Sequence, residues 1–177
     1  MENNLKKVDI IFEVDDKCTP LEVLDKTLKR SADDIILDLI DSGLKGRGGA
    51  GFPTGLKWKF TRNESGDVKY VICNADEGEP GTFKDREILD RVPEKIFAGM
   101  TICGYVVGAK EGYIYLRGEY NFLLKNLMKK LEDFNNALKK RNIDFRIFFK
   151  SGSGAYVCGE ESALFESMEG KRGEPRN

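Results

Sequence analysis

From Glu119 to about Asn142, the apolar residues Leu123, Leu127, Leu131, Phe134 and Leu138 recur every three or four positions against lysines, asparagines and acids. That spacing predicts an amphipathic helix whose charged face is solvated. Short apolar runs of strand length, Gly112–Leu116 and Asp144–Phe149, lie on either side of it. A strand, a long one-faced helix and a second strand can bury their apolar sides together only in layers, which points to an α/β architecture with a mostly parallel sheet. The rest of the chain keeps the alternation. A strand is expected at Val8–Val14, a helix after Pro20 with Leu21, Leu24 and Leu28, and another at Ala32–Asp41 behind the N-cap Ser31. Trp58 and Phe60 lead to a polar turn at Asn63–Asp67 and a buried strand at Lys69–Cys73. Pro93 opens a helix that closes near Gly108.

Two glycine-rich stretches interrupt this alternation. Gly46-Arg47-Gly48-Gly49-Ala50-Gly51-Phe52-Pro53-Thr54-Gly55-Leu56-Lys57-Trp58 combines glycines with cations and aromatic rings. Glycine permits positive φ and close approach to a ligand, and successive amides form an anion-binding concavity that Arg47 or Lys57 can reinforce. Gly46, Gly48 and Gly51 match G-x-G-x-x-G, but the stretch follows a helix, whereas the dinucleotide fingerprint requires a strand before it. The residues alone leave open a phosphate site or an exposed flexible loop. The second stretch, Ser151-Gly152-Ser153-Gly154, lies between a strand and a predicted helix start at Gly159–Phe165, the order in which phosphates are cradled.

A chain of 177 residues with net charge −1 and lysines spread along its length lacks the basic face of a nucleic-acid binder or a polybasic membrane anchor. No run approaches the ~20 apolar residues of a membrane span, and Met1–Lys7 is polar, so a cytoplasmic location is expected. Cys18, Cys73, Cys103 and Cys158 are far apart and form no Cys-x-x-Cys pair, so they suggest packed, reduced thiols and no local metal site. Histidine is absent, which removes the commonest general base and the usual nucleophilic triads. No catalytic side chain is assigned; any chemistry is expected to belong to a cofactor.

Asn74-Ala75-Asp76-Glu77-Gly78-Glu79-Pro80-Gly81 stands directly after the predicted strand, where α/β sheets place their ligands. Asn74 offers a donor and an acceptor for a ring edge, and the carboxylates can accept from ribose or ribityl hydroxyls, hold a hard cation, or work as an acid/base pair. A charged surface turn is the other reading.

Gly46–Trp58, Asn74–Arg86, Tyr115-Leu116-Arg117-Gly118-Glu119-Tyr120 and Gly154-Ala155-Tyr156-Val157-Cys158-Gly159-Glu160-Glu161 together resemble the FMN- and NADH-binding flavoprotein subunit of respiratory complex I. The same module occurs in NAD-reducing hydrogenases, as their diaphorase subunit, and in NAD-dependent formate dehydrogenases. The resemblance runs from about Gly43 onward; Asp144–Ile147 and Glu166–Gly173 look most like the diaphorase subunit of soluble NAD-reducing hydrogenases. It implies a Rossmann-like FMN-binding domain over 43–177, with 1–42 supplying a strand and helices that pack on its core. It further implies that Gly46, Arg47, Gly48 and Lys57 hold FMN, that Asn74, Asp76 and Glu77 hold its ribityl chain and ring edge, and that Tyr156, Gly159, Glu160 and Glu161 close the pocket. Phe52 and Phe60 would stack on NADH, and Glu79 would bind the nucleotide and disfavour a 2′-phosphate. The implied reaction is hydride transfer between NAD(H) and FMN, with electrons then passed singly to iron–sulfur centres.

Family members continue beyond the point corresponding to Asn177 with a ubiquitin-like domain and a helical domain binding a [4Fe-4S] cluster. The four cysteines here do not match that ligand pattern, so the cluster is expected on partner domains or subunits, through which any membrane association would also arise. Arg91-Val92-Pro93 stands where the family often carries Pro-His. Two readings stay open: an NADH-oxidising or NAD-reducing flavoprotein module, or a flavin- or nucleotide-binding fragment with a structural role in a larger complex.

Overall fold

A computed structural model describes residues 11–12, 18–152 and 156–176, without the Tyr156 side chain. The strand expected at Val8–Val14 therefore lies outside the described residues except for Ile11 and Phe12, as do Ser153, Gly154 and Ala155.

Three strands, β1 (Tyr70–Ala75), β2 (Glu111–Leu116) and β3 (Arg146–Ser151), form a parallel sheet in the order β1-β2-β3. Helices α1 (Pro20–Thr27), α2 (Ala32–Asp41) and α3 (Thr54–Asn63) precede the sheet. Between β1 and β2 run α4 (Lys84–Arg91) and α5 (Pro93–Val107); α6 (Asn121–Lys140) joins β2 to β3, and α7 (Glu161–Met168) follows. The α/β class with parallel strands is as expected.

Local signals set the helix ends. Thr19 and Glu22 form a reciprocal capping box at α1, and the Ser31 hydroxyl accepts from the Asp34 amide at α2. Pro93 begins α5, and Gly108 ends it in the left-handed region at φ 80°. The periodic leucines of α6, with Phe134, are all buried; each such side chain contributes about 1.5–3 kcal/mol.

Alternation along the strands gives the sheet two unlike faces. Val71, Ala75, Ile114, Leu116 and Ile147 join the main core with residues of α5 and α6, where the Phe97 and Phe134 rings meet edge to face at 5.5 Å. Tyr115 faces the other way, into a smaller cluster with Cys158 and Leu164.

Several boundaries differ from the sequence reading. The first strand extends to Ala75, so Asn74 is a strand residue rather than a loop residue. Trp58 and Phe60 belong to α3, and Lys84–Arg91, between the acidic segment and Pro93, forms a helix, α4, that the sequence reading did not expect. The third strand is displaced to Arg146–Ser151, and the long helix begins at Asn121 behind a single 3-10 turn, Gly118–Tyr120.

The outer edge of β3 is partly occupied by a side chain. Asn135 of α6 donates through Nδ2 to the Ile147 carbonyl (2.9 Å) and accepts at Oδ1 from the Ile147 amide (3.1 Å). A groove of about 1380 Å³ runs between this edge and α6, lined by residues such as Met128, Asn135 and Phe149. None of the expected site residues lines it.

Candidate functional site

The parallel register brings the carboxyl ends of all three strands to one side of the sheet. The Arg117 amide, just past β2, donates to the Ala75 carbonyl (3.3 Å), and the Gly152 amide, just past β3, donates to the Leu116 carbonyl (2.7 Å). The segments that leave the ends of β1 and β3 carry Asp76, Glu77, Glu79, Tyr156, Gly159, Glu160 and Glu161.

Asn74 ties two of them together. Its Nδ2 donates to the Gly159 carbonyl (2.9 Å), while its Oδ1 accepts from the Asp76 amide (3.1 Å). The 3-10 turn Tyr156–Gly159 is thereby tied to the end of β1. Asp76 lies beneath Gly159, and its Oδ2 is buried with no hydrogen-bond partner among the described residues. Burial pushes the Asp76 carboxyl up; the nearby Arg117 guanidinium opposes that shift and Glu119 adds to it. A buried acceptor with no donor is costly unless a ligand or water supplies one.

Glu77 points inward and is only 5% exposed. The Tyr120 hydroxyl donates to Oε2 (2.8 Å), the Asp85 amide donates to Oε1 (3.2 Å), and the Lys84 ammonium lies 3.9 Å away. Burial alone would raise its carboxyl. The Tyr120 hydroxyl, the Asp85 and Arg86 amides and the Lys84 charge outweigh burial and hold it below its ordinary value. Both carboxylate oxygens are thus engaged within the protein. Glu79 sits in a turn in which the Thr82 amide and hydroxyl both donate to its carbonyl (3.2 and 2.6 Å).

The first glycine stretch closes on itself. Lys45 and Pro53 form an isolated antiparallel bridge, flanked by bonds from the Gly46 amide to the Phe52 carbonyl and from the Thr54 amide to the Leu44 carbonyl (both 2.9 Å). Gly49 and Gly51 take φ values of 122° and 63°, which side-chain-bearing residues adopt only with strain. Gly46, Arg47 and Gly48 are exposed, and Phe52 is 48% exposed. The loop opens into the amino end of α3, which carries Lys57 and the exposed Phe60.

Lys57 spans the gap to the other wall, with Nζ 3.9 Å from Glu161 Oε1 at the start of α7. Glu160 caps that helix: its Oε2 accepts from the Ser162 hydroxyl (2.6 Å) and the Ala163 amide (2.9 Å), and these bonds lower its carboxyl. The Tyr156 side chain lies outside the described residues.

Asn74, Asp76 and Gly159 are therefore in contact, and Lys57 meets Glu161. Glu77 and Glu160 use their carboxylates to hold the framework. Sequence reasoning gave no role to Arg117, although Arg117-Gly118-Glu119-Tyr120 directly follows a strand. Arg117 Nη1 donates to the Glu77 carbonyl, and its Nη2 donates to Glu119 Oε1 (2.7 Å). Cys73 and Cys103 are not nucleophile candidates, because burial pushes each thiol up to about 12.

Residues 39–177 match the family model described as Nuo51 FMN-binding domain. The chain belongs to this family. Within the Nuo51 FMN-binding family it is 52% identical over 161 residues to the NAD-reducing hydrogenase HoxS subunit alpha of Cupriavidus necator, an alignment covering 87% of this chain and 27% of the relative. It is 46% identical over 154 residues to a subunit of the NADH-quinone oxidoreductase of Escherichia coli, covering 83% of this chain and 35% of the relative. A solved structure, an NAD+-reducing [NiFe]-hydrogenase in the H2-reduced state, aligns with a TM-score of 0.85 and 46% identity over 91% of this chain and 28% of its own. The chain thus spans about a third or less of the length of these Nuo51-family relatives. No helix among the described residues is long and apolar enough to cross a membrane.

Proposed function

We propose that the chain is the FMN- and NAD(H)-binding module of a larger oxidoreductase, exchanging hydride between NAD(H) and FMN and passing electrons singly to iron–sulfur centres on partner domains or subunits. The observation that carries this reading is Asp76 Oδ2, buried beneath Gly159 and without a donor among the described residues, with Glu161, two residues on from Gly159, meeting the Lys57 ammonium that follows the exposed glycine loop. A ribityl hydroxyl would satisfy that oxygen, and the loop amides with Arg47 and Lys57 suit a phosphate. The donor set therefore fits FMN.

When bound, FMN supplies a hydride acceptor that can release electrons one at a time. The chain's own residues supply binding and orientation. Arg47 and Lys57 would balance phosphate charge, while Asn74, already bonded to Gly159, keeps the two walls at a fixed separation. Phe52 and Phe60 present exposed rings on which an aromatic base can stack. Glu79 would discriminate against a 2′-phosphate by charge. The names of the relatives support NAD(H) as the partner nucleotide and a multi-subunit setting.

The test is to titrate the full chain with FMN, following flavin fluorescence, and then add NADH without oxygen. Quenching on binding and bleaching of the yellow band on NADH addition are expected; failure to bind FMN would reject the reading. Because the chain spans 27% of the hydrogenase relative, a second reading is a flavin-binding segment without turnover of its own. Flavin that binds but stays yellow would favour it.

A further inference from the structure

The acidic loop between Ala75 and Lys84 contains no regular element, yet one of its peptide units is held at both polar groups. The Gly78 amide donates to the Asp76 carbonyl (3.0 Å), a bond local to the loop. The Glu77 carbonyl of the same peptide accepts from Arg117 Nη1, which lies just past the end of β2, 40 residues along the chain. A planar peptide gripped at both groups cannot rotate without breaking both bonds.

Arg117 is itself well anchored. Its amide extends the β1–β2 ladder to Ala75, and its Nη2 is bonded to Glu119, so the two prongs of the guanidinium fork point at different partners. Its side chain is 25% exposed. The charged and titratable groups that act on Asp76 are Arg117, Glu119 and the Tyr115 hydroxyl; of these only Arg117 is a cation.

We propose that Arg117 is a positioning residue of the ligand site: its guanidinium fixes the Glu77–Gly78 peptide and lends its charge to Asp76, keeping that carboxylate ready to accept from a ligand hydroxyl. This rests on the FMN reading above. Arg117 does this through the Glu77 carbonyl and the field at Asp76. Neither lysine nor glutamine reproduces the two-pronged grip, but lysine preserves the charge.

The experiment measures FMN affinity of the full chain by fluorescence from about pH 5 to 8, for the wild type, Arg117→Lys and Arg117→Gln, with thermal midpoints recorded alongside. Protonation of Asp76 removes an acceptor, so affinity falls on the acid side; losing the Arg117 charge raises the Asp76 carboxyl and moves that acid limb to higher pH. Arg117→Gln is expected to weaken FMN binding by about tenfold and to shift the limb to higher pH. Arg117→Lys is expected to keep the wild-type limb while binding more weakly than wild type. If wild type binds FMN and Arg117→Gln matches its affinity and limb, this inference falls and the function stands. Equal weakening in both variants, with lower thermal midpoints and an unmoved limb, would mean that Arg117 only supports the fold, and would also overturn it. A wild type that does not bind FMN overturns both.

Discussion

Glu77 and Asp76 are adjacent carboxylates pushed in opposite directions by their surroundings. Glu77 is held below its ordinary value of 4.5, so its contribution to stability is complete above that pH and is lost as pH falls through the lowered folded value. Tyr120→Phe removes a buried hydrogen bond to a charge and should cost about 1.5–3 kcal/mol at neutral pH by urea denaturation, with the deficit shrinking on acidification below the ordinary value. Asp76 behaves oppositely. Its carboxyl is raised, so its stabilising contribution exists below the ordinary 3.8 and is lost as pH rises through the folded value. Asp76→Asn should therefore leave the unliganded chain at least as stable at neutral pH, while weakening FMN binding by about tenfold or more. Stability and flavin titrations on one preparation check both halves. A variant that binds FMN as wild type does would remove Asp76 from the site.

The glycine loop is delivered by a tight contact between two helices. A Cβ on Gly55 would lie 2.7 Å from Ile40 Cγ1 and 2.8 Å from the Ile40 amide nitrogen, and backbone cannot yield as a flexible side chain can. Gly55→Ala should push α3 from α2, costing about 1–3 kcal/mol in thermal or urea unfolding and weakening FMN binding through displacement of Lys57. Helix α3 also shows where sequence reasoning stopped. Leu56, Trp58 and Phe60 alternate with Lys57 and Lys59, a two-residue period that disguises the helix, and Gly55 is its sole buried residue. Helix α4 was hidden similarly, with Leu89 alone buried in a charged sequence. Helices α2, α5 and α6 were legible because their apolar faces are broad or their caps explicit. The acidic loop could be read from its residue types and its place after a strand. The inward turn of Glu77 could not, because its partner Tyr120 lies 43 residues away and only the fold brings them together.

Three parallel strands in sequential order, with helices as crossovers, direct every strand's carboxyl end to the same side. The arrangement gathers the proposed ligand groups that follow β1 and β3 there and, among the described residues, leaves the two outer strands without a strand partner on their outer edges. At β3 the alternation is explicit: the Arg146 and Gly152 amides bond toward β2, whereas Ile147 faces outward and is met by Asn135. Asn135→Leu should uncover that amide and carbonyl, cost about 1–3 kcal/mol in urea unfolding, and increase concentration-dependent association in sedimentation velocity. Unaltered stability and sedimentation would show that water serves the edge equally well. Phe149 and Ser151 share the outward phase of Ile147 but lie beyond the reach of that amide's two bonds. Asn135 is thus a register stop: a strand adding to this edge can pair alongside Phe149 and Ser151, but must end before Ile147.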